Sequence, residues 1–537
     1  MAVVLVGSLV AGIEALADRR VGIKPDWLAV LGLLHEFMRR QGLDRRHLRR
    51  RVGRADHEAG TRQQVFLRRN RLLASAQCEG RGQNQGGGKF LHHITLSEGS
   101  RREALDPLTY DSHPFDARSR PRLRFGYQAG PLPVKQVSVA IVGAGPAGLY
   151  AAEILSAAGL SVTLYDRMPS PARKFLMAGR GGLNLTHSEP IAAFLDRYGA
   201  ARSLMAVALA RFSPDDLRIW AAGLGEETFT GSSGRVFPKS FKASPLLRAW
   251  LRRLEAQGVR LLTRHEWQGF GPDRALRFST PSGEKTIHAD AVLLALGGAS
   301  WPRLGADGSW ITILKDSGVA AAPFRPANAG WLIAWSDHVT RHAGQPLKRV
   351  MLSCGEAKVR GDIMLTRTGI EGGPVYALGP HVRAALEQNG TAPITIDVRP
   401  DLSHDALAKK LATMRKGASL AKRLAQMGVS PAMASVLRED RLLPTDADAL
   451  AARIKAVPLN VTGFAGLERA ISSAGGITRD AIDDHLMLKA LPGVFVAGEM
   501  LDWEAPTGGY LLQGCFATGA WAADGIMAFA KQAQLSR

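Results

Sequence analysis

The segment between residues 137 and 166 constrains the fold of this chain more than any other. A β-branched apolar run, VSVAIV, precedes the turn Gly143-Ala144-Gly145-Pro146-Ala147-Gly148, and a helical stretch and a second strand, SVTLYD, then lead to Asp166. A strand, a GxGxxG turn, a helix and a strand that ends in an acid form the βαβ unit that binds dinucleotides. The sequence therefore predicts a parallel α/β sheet with a dinucleotide at the carboxyl ends of its strands.

Each glycine of the turn has its own physical reason. Gly143 permits the tight turn, Gly145 lets the backbone approach a pyrophosphate, and Gly148 allows close contact between helix and strand. The helix that starts at Pro146 and Ala147 offers free N–H groups and a partial positive charge to the phosphates. These residues are therefore predicted to bind the diphosphate of the nucleotide.

A distant C-terminal segment decides between NAD and FAD. Residues 491–504, LPGVFVAGEMLDWE, contain a short apolar strand that ends in Gly498 and Glu499, with Asp502 shortly after. The turn Gly508-Gly509-Tyr510 then leads into a long apolar helix. Strand-end carboxylates can bind ribityl hydroxyls, and a helix N-terminus can stabilise negative charge on a reduced flavin. NAD has neither group, so this segment predicts FAD.

Two further stretches are expected in the same site. Asp166 lies 18 residues after Gly148, where it can accept hydrogen bonds from the adenosine ribose, and Arg167 follows it. Gly297 and Gly298 follow another buried strand, which is the usual return strand of an FAD domain.

Residues 1–135 differ in charge from the rest. The chain has 69 basic and 48 acidic residues, a net charge of +21. Residues 1–135 hold 24 basic and 13 acidic residues (+11), which leaves 45 and 35 (+10) for residues 136–537. We expect residues 1–135 to be a basic, poorly ordered extension. A basic arm that binds RNA or another polyanion and a small helical module are the alternatives.

Composition excludes several other classes. The three cysteines show no CxxC spacing, which argues against a disulfide scaffold, a dithiol redox centre and a cysteine-rich zinc site. No apolar run is long enough to span a bilayer. The apolar start lacks the basic segment that opens a signal peptide, so no export signal is expected. The sequence shows no metal-ligand spacing and no Ser–His–Asp arrangement. We therefore expect a cytoplasmic protein without a metal, whose partner is a small-molecule substrate and which does not enter a membrane.

Five longer motifs resemble one known family. They are KFLMAGRGGLNLTH at 174–187, GRVFP at 234–238, GDIMLTRTGI at 361–370, SSAGG at 472–476 and AGEMLDWEAPTGGYLLQG at 497–514. With these motifs, residues 137 to about 530 resemble bacterial two-dinucleotide-fold flavoproteins, the aminoacetone-oxidase-like or bile-acid-dehydroxylation-like NAD(P)/FAD-dependent oxidoreductases. Gly182-Leu183-Asn184 stands where many members have Arg-Cys-Asn, which indicates a divergent subgroup.

The resemblance implies a domain layout. It implies an α/β fold with a three-layer, Rossmann-like FAD-binding domain over residues 136–325 and 465–537. A β-barrel-like domain (326–402) and a small helical subdomain (403–464) are inserted into it. Apolar–polar alternation over 330–400 and a helical, basic pattern over 404–456 agree with this layout. A substrate pocket is expected between the FAD domain and the insertion.

The glycine-rich, basic segment 174–187 lacks helix and strand periodicity, so we expect a loop that wraps the pyrophosphate and the flavin. The residues expected to contact the cofactor here are Lys174, Gly179, Arg180, Gly181 and Asn184.

The expected activity is FAD-dependent oxidoreduction of a small molecule, with hydride transfer through N5 of the flavin. No second GxGxxG has strand context, so transiently docked NAD(P)H and the substrate itself both stay open as electron donors. An RNA-modifying flavoenzyme similar to ribosomal RNA dihydrouridine synthases, and a non-catalytic FAD-binding protein, are the alternatives. The basic balance suits RNA.

No side chain stands out as the catalytic acid. His187, Tyr510 and Cys515 lie near the predicted flavin segments, but a structural role is favoured for His187 and a packing role for Cys515. Arg180 and Arg367 are candidates to bind an anionic group of a substrate.

Overall fold

The computed structural model describes residues 136–179, 181–414 and 418–535. The extension expected over residues 1–135 lies outside these ranges, as does the predicted cofactor contact Arg180. Within the described ranges no helix combines the length and the apolar character that a bilayer span requires.

The strands are listed in chain order: β1 (Ser138–Val142), β2 (Ser161–Asp166), β3 (Thr186–His187), β4 (Thr228–Thr230), β5 (Arg235–Pro238), β6 (Arg260–Thr263), β7 (Glu266–Phe270), β8 (Leu276–Thr280), β9 (Gly283–Ile287), β10 (Ala291–Leu294), β11 (Ala321–Ala327), β12 (Trp331–Leu332), β13 (Pro346–Cys354), β14 (Ala357–Thr366), β15 (Gly369–Glu371), β16 (Ala392–Asp397), β17 (Val457–Val461), β18 (Gly463–Phe464), β19 (Ser472–Ile477) and β20 (Val494–Val496).

The α-helices are α1 (Pro146–Ala157), α2 (Arg173–Ala178), α3 (Ile191–Asp196), α4 (Arg202–Arg211), α5 (Pro214–Gly223), α6 (Ala243–Ala256), α7 (Trp310–Asp316), α8 (Asp337–Thr340), α9 (Gly373–Ala377), α10 (Gly379–Asn389), α11 (His404–Ala412), α12 (Leu420–Gln426), α13 (Pro431–Leu437), α14 (Ala447–Lys455) and α15 (Tyr510–Leu535).

A five-stranded parallel sheet contributes to the larger of two cores in the described residues, in the order β20-β10-β1-β2-β6. β1 and β10 are almost entirely buried, as expected for strands covered on both faces. Helices α1, α6 and α15 and the antiparallel sheet β7-β8-β9 contribute to one core with it, through side chains such as Trp250, Phe278 and Phe516. The predicted Rossmann-like α/β fold is confirmed.

A second sheet belongs to the segment between β11 and β19. Its seven strands are antiparallel, in the order β17-β16-β13-β14-β15-β12-β18. Strands lie about 4.8 Å apart, so the edges of a flat sheet of this size would be roughly 29 Å apart. The edge strands β17 and β18 are separated in the chain by Thr462 alone. The sheet must therefore curl back on itself.

The second sheet has its own core. Helices α11 to α14 pack against it through buried residues such as Leu407, Leu424, Val436 and Ile454. The antiparallel pair β11–β19 carries the chain out of the first core and back into it. We call residues 328–471 the inserted part, and residues 136–327 and 472–535 the Rossmann-type part.

Candidate functional site

Three glycines shape the turn between β1 and α1. Gly143 has a φ of 107°, and a Cβ on it would lie 2.2 Å from the carbonyl oxygen of Ala295. A Cβ on Gly148 would lie 2.0 Å from the carbonyl oxygen of Gly143. Gly145 has extended backbone, and no atom lies within 4 Å of a Cβ built there. The protein itself fills the space at Gly143 and Gly148, whereas the open space at Gly145 suits a pyrophosphate.

The Asp166 carboxylate holds this turn. Its Oδ2 accepts a hydrogen bond from the backbone N–H of Ala144 at 2.9 Å, and its Oδ1 accepts one from Met168 at 2.8 Å. Burial raises the pKa of Asp166, and these two hydrogen bonds oppose that shift. A carboxylate oxygen has more than one lone pair, so Asp166 keeps capacity to accept a ribose hydroxyl.

Arg167 is already paired in this structure. Its Nη1 lies 2.8 Å from Asp307 Oδ2 and 3.5 Å from Glu266 Oε1. The guanidinium therefore joins two segments at the wall of a cleft of about 140 Å³. The predicted site residues that line this cleft are Gly143, Gly145, Pro146, Asp166, Arg167, Lys174, Gly297 and Glu499.

Lys174 and Glu499 bring the two distant predicted segments together. Lys174 Nζ donates to Glu499 Oε2 at 2.7 Å and to Ser300 Oγ at 2.9 Å. A loop was expected at Lys174, but residues 173–178 form the short helix α2. Phe175 packs into the core and holds this helix in place. The ion pair spans the cleft from one predicted cofactor segment to the other.

The glycines after β10 and β20 allow a close approach of backbone segments. A Cβ on Gly298 would lie 2.2 Å from Ser473 Oγ, and that hydroxyl accepts a hydrogen bond from Ala299 N–H. The space beside Gly298 is therefore filled by protein atoms. Gly498 has a φ of 76°, and a Cβ there would lie 3.0 Å from that of Ala147 on α1. Gly297 also has positive φ and lines the cleft.

The segment 179–187 carries two polar atoms that lack partners. Asn184 Oδ1 and Thr186 Oγ1 are buried and have no hydrogen-bond partner in the described part of the chain. Gly181 has no atom within 4 Å of a built Cβ, whereas Gly179 packs against Ala243. Unmet hydrogen-bonding capacity of buried polar atoms is one mark of a ligand site.

The C-terminal turn packs directly on this segment. A Cβ on Gly509 would lie 2.5 Å from Thr186 Cα, so only glycine fits. Gly508 has a φ of 144°. Asp502 Oδ1 accepts a hydrogen bond from Gly475 N–H at 3.1 Å. The Tyr510 hydroxyl donates to Glu189 Oε1 at 2.6 Å, so the phenol is held by protein.

The side chains considered as catalytic acids either form hydrogen bonds within the protein or are buried. His187 Nε2 lies 2.9 Å from the Ser233 carbonyl, and its Nδ1 accepts from Glu189 N–H. Cys515 is buried in the core, which raises the pKa of its thiol. Arg367 is exposed in the hairpin between β14 and β15.

A larger cavity of about 730 Å³ has walls from both parts of the chain. Sequence reasoning missed most of its polar residues, because their partners are remote in the chain. Arg383 of the inserted part forms a two-pronged ion pair with Glu504, at 2.7 and 3.0 Å, across a separation of 121 residues. Wall residues include Arg197, Tyr198, Leu204, Asn328, Val359, Tyr376, Arg383, Asp502, Trp503, Glu504 and Pro506.

The residues present fit FAD. Open space lies at Gly145 and Gly181, unpartnered buried atoms lie at Asn184 and Thr186, and both predicted nucleotide segments meet through Lys174. The parallel sheet with these segments at its carboxyl edge defines an FAD-dependent oxidoreductase with a Rossmann-type domain.

The chain belongs to the HI0933-like protein family, whose Rossmann-domain profile matches residues 137–525. This match confirms the flavoprotein resemblance of the sequence motifs.

Characterised relatives are similar over most of their length. A 3-dehydro-bile acid delta(4,6)-reductase from Clostridium scindens is 25% identical over 400 residues, which cover 71% of this chain and 97% of the relative. A ribosomal RNA dihydrouridine synthase from Escherichia coli is 24% identical over 399 residues, 71% of this chain and 96% of the relative. The 3-ketosteroid delta1-dehydrogenase structure from Sterolibacterium denitrificans has a TM-score of 0.41 and 12% identity, covering 73% and 99% of the two chains.

Proposed function

We propose that this protein reduces a carbon–carbon double bond conjugated to a carbonyl group in a small, uncharged molecule. A delta(4,6)-reductase and a dihydrouridine synthase share one reaction class, the addition of two hydrogens to a double bond. This shared chemistry supports reduction through N5 of FAD. The proposed reaction class does not depend on which substrate either relative uses.

The cavity between the two parts is the observation that supports a small, uncharged substrate. Its volume of about 730 Å³ falls within the range of small-molecule sites. Its four arginines all have carboxylate partners, which are Glu189 for Arg197, Glu387 for Arg325, Glu504 for Arg383 and Asp484 for Arg479. With these charges paired and much of the wall apolar, the cavity favours a neutral ligand over a polyanion.

The cofactor would be held by residues at both ends of the Rossmann-type part. Backbone N–H groups at the start of α1 would bind the pyrophosphate, and Asp166 would bind the adenosine ribose. Glu499, Asp502 and the first turn of α15 would lie along the ribityl chain and the flavin. When bound, FAD supplies a hydride acceptor and donor at N5.

A proton must accompany the hydride, and we assign its delivery to Tyr376. This phenol lines the cavity, and burial raises its pKa, so the hydroxyl keeps its proton at neutral pH. The other tyrosine of the wall, Tyr198, already donates its hydroxyl hydrogen to the carbonyl of Tyr510 at 2.8 Å. Tyr376 would protonate the carbon next to the carbonyl and then recover a proton from water.

The test is a reaction of the reduced holoenzyme with conjugated ketones. FAD is reduced with dithionite without oxygen and mixed with 2-cyclohexenone or 4-androstene-3,17-dione, with the saturated ketones as controls. We expect the oxidised flavin spectrum to return with the conjugated ketone and a product that has gained two hydrogens. Tyr376→Phe should slow this step and leave FAD bound. A reduced flavin that reacts with oxygen but with neither conjugated ketone would contradict the proposal.

A second candidate, reduction of uridine in RNA, is favoured by charge. Residues 136–537 carry 45 basic and 35 acidic residues, a net charge of +10, and basic surfaces attract polyanions. This function predicts that ribosomal RNA from a strain without the gene lacks dihydrouridine that the parent strain contains. Unchanged ribosomal RNA nucleosides in the deletion strain would exclude it.

A further inference from the structure

We infer that Glu189 is a positioning residue for the cofactor, which acts through the hydroxyl of Tyr510 on the Gly508–Gly509 turn. The inference rests on the proposed placement of the flavin beside the first turn of α15. Glu189 does not line the nucleotide cleft, and its partner Arg197 belongs to the wall of the larger cavity.

Glu189 is held by strong hydrogen bonds. Its Oε1 accepts from Tyr510 Oη at 2.6 Å and from Arg197 Nε at 3.1 Å. Its Oε2 accepts from Arg197 Nη2 at 2.7 Å. The Glu189 side chain is only 11% exposed and Tyr510 is buried, so the bond between them forms largely out of water, where bonds to a charged group are strongest, whereas the Arg197 side chain is 48% exposed.

Tyr510 is fixed on several sides. The His187 ring stacks on it at a centroid distance of 5.5 Å, and the Phe194 ring meets it edge-on at 4.8 Å. Tyr198 donates its hydroxyl to the Tyr510 carbonyl at 2.8 Å. His187 is fixed in turn, because its Nδ1 accepts from Glu189 N–H while Nε2 donates to the Ser233 carbonyl. The first residue of α15 therefore has little freedom to move.

The consequence concerns the backbone just before Tyr510. Gly508 and Gly509 have φ values of 144° and 95°. Glycine has no side chain that restricts its backbone, so other contacts must hold this turn in its conformation. Gly509 also lies against the Thr186 backbone, directly before His187. The Glu189–Tyr510 bond thus keeps the flavin-side segment and the start of α15 in register. The unpaired N–H groups at a helix start stabilise a negative charge only when that charge lies close to them. A small displacement of the start of α15 would therefore weaken this effect on the flavin.

The test compares Tyr510→Phe, Glu189→Gln and the double variant in the full-length protein. Arg202→Gln, which breaks the exposed Asp196–Arg202 pair on a neighbouring helix, is the matched control. FAD dissociation constants, flavin absorbance and the flavin midpoint potential are measured, together with the thermal unfolding of each variant. None of these measurements needs a substrate.

We expect each single variant to weaken FAD binding by about tenfold, the effect of losing a hydrogen bond to a charged group. The midpoint potential should become more negative, because the helix start would stabilise the reduced flavin less. Glu189→Gln also weakens the two bonds from Arg197, so the double variant should bind FAD no more weakly than Glu189→Gln alone, because the bond from Tyr510 to the charged carboxylate is already lost in it. Arg202→Gln should match the wild type.

Unchanged FAD affinity and potential in Tyr510→Phe would overturn the inference, as would losses that add in the double variant. Tyr510→Phe removes one oxygen atom and carries the test even where Glu189→Gln fails to fold. A wild-type chain that binds no FAD would instead contradict the cofactor placement. Failure to reduce conjugated ketones would count against the proposed function alone.

Discussion

At Gly143 and Gly145 a missing Cβ serves two different needs. Gly143 has positive φ and lies against the Ala295 carbonyl, so the fold itself requires glycine there. Gly145 has an extended backbone that any residue can adopt, and the space beside it is open. The sequence motif shows both glycines alike, whereas in the structure only Gly143 is required by the fold itself, and we propose that Gly145 serves cofactor binding.

Gly145→Ala should therefore separate folding from cofactor binding. The variant should unfold at the wild-type temperature without cofactor, because no atom lies within 4 Å of the new methyl group. FAD affinity should fall by about tenfold or more, because the methyl group would occupy the phosphate space. Thermal unfolding and FAD titration measure the two effects. Gly143→Ala, the matched control, should lower the unfolding temperature, and Gly145→Ala with wild-type FAD affinity would contradict the assignment.

Glu189 also predicts a pH dependence of stability. Burial opposes the shift, but hydrogen bonds from Arg197 and Tyr510 lower its pKa below the ordinary value of 4.5. A carboxyl with a lowered folded pKa stabilises the protein above its unfolded pKa, and this stabilisation is lost as the pH falls through the folded value. The difference in free energy of unfolding between wild type and Glu189→Gln should be constant from pH 7 to about 5 and shrink below about 4.5. Urea unfolding across this range is the measurement, and a difference that stays constant at low pH would refute it.

Among the elements, α15 and α1 make the closest helix contact of the cofactor region. A Cβ on Gly519 of α15 would lie 2.5 Å from the Ala147 carbonyl oxygen, at the start of α1. The small residues of α15 thus let it approach α1, the helix at the proposed phosphate site. The sequence predicted this helix from its apolar run, but its partner could not be read from one chain segment.

Gly519→Ala should test this packing by the sign of its effect. Alanine normally stabilises a helix interior by about 0.5–1 kcal/mol relative to glycine. Here the contact with Ala147 should reverse the sign, with a loss of about 1–3 kcal/mol from overpacking. Gly223→Ala at the end of α5, where the nearest atom lies at 3.6 Å, should be neutral or stabilising. Urea unfolding of both variants decides, and a stabilised Gly519→Ala would show that the helices can separate without penalty.

Sequence reasoning worked where local pattern sets structure. The buried strands β1, β2 and β10 and the turn at Gly143 follow from apolar runs and glycine spacing. It worked less well at residues 173–178, where glycines further along indicated a loop although Phe175 anchors a helix in the core. It could not identify Glu189, because its partners lie 8 and 321 residues away and no spacing rule links them.

At the scale of the whole molecule, a largely buried ion pair joins the inserted part to the Rossmann-type part at the wall of the larger cavity. Arg383 of α10 and Glu504 have side chains that are 12% and 29% exposed. Arg383 also donates to the Pro326 carbonyl at 3.2 Å and lies over the Phe464 ring. This cluster connects two walls of the cavity, since its two charges come from opposite parts.

Glu504→Gln should destabilise the protein more than a surface change of the same kind. Removal of one partner leaves the Arg383 charge largely buried, and partial solvent access reduces the expected loss to about 1–3 kcal/mol. Glu227→Gln, which breaks the exposed Lys239–Glu227 pair within the Rossmann-type part, should lower the free energy of unfolding far less. Equal effects of the two variants in urea unfolding would show that the Arg383 pair does not join the two parts.

The central claim is that two distant segments of the chain bind one FAD. Titration of the cofactor-stripped, full-length protein with FAD, followed by absorbance and by mass spectrometry of the released nucleotide, tests it most directly. The account predicts one FAD per chain, with affinity reduced by Gly145→Ala at one segment and by Glu499→Gln at the other. A colourless protein that takes up no FAD, or FAD binding that neither variant weakens, would contradict it.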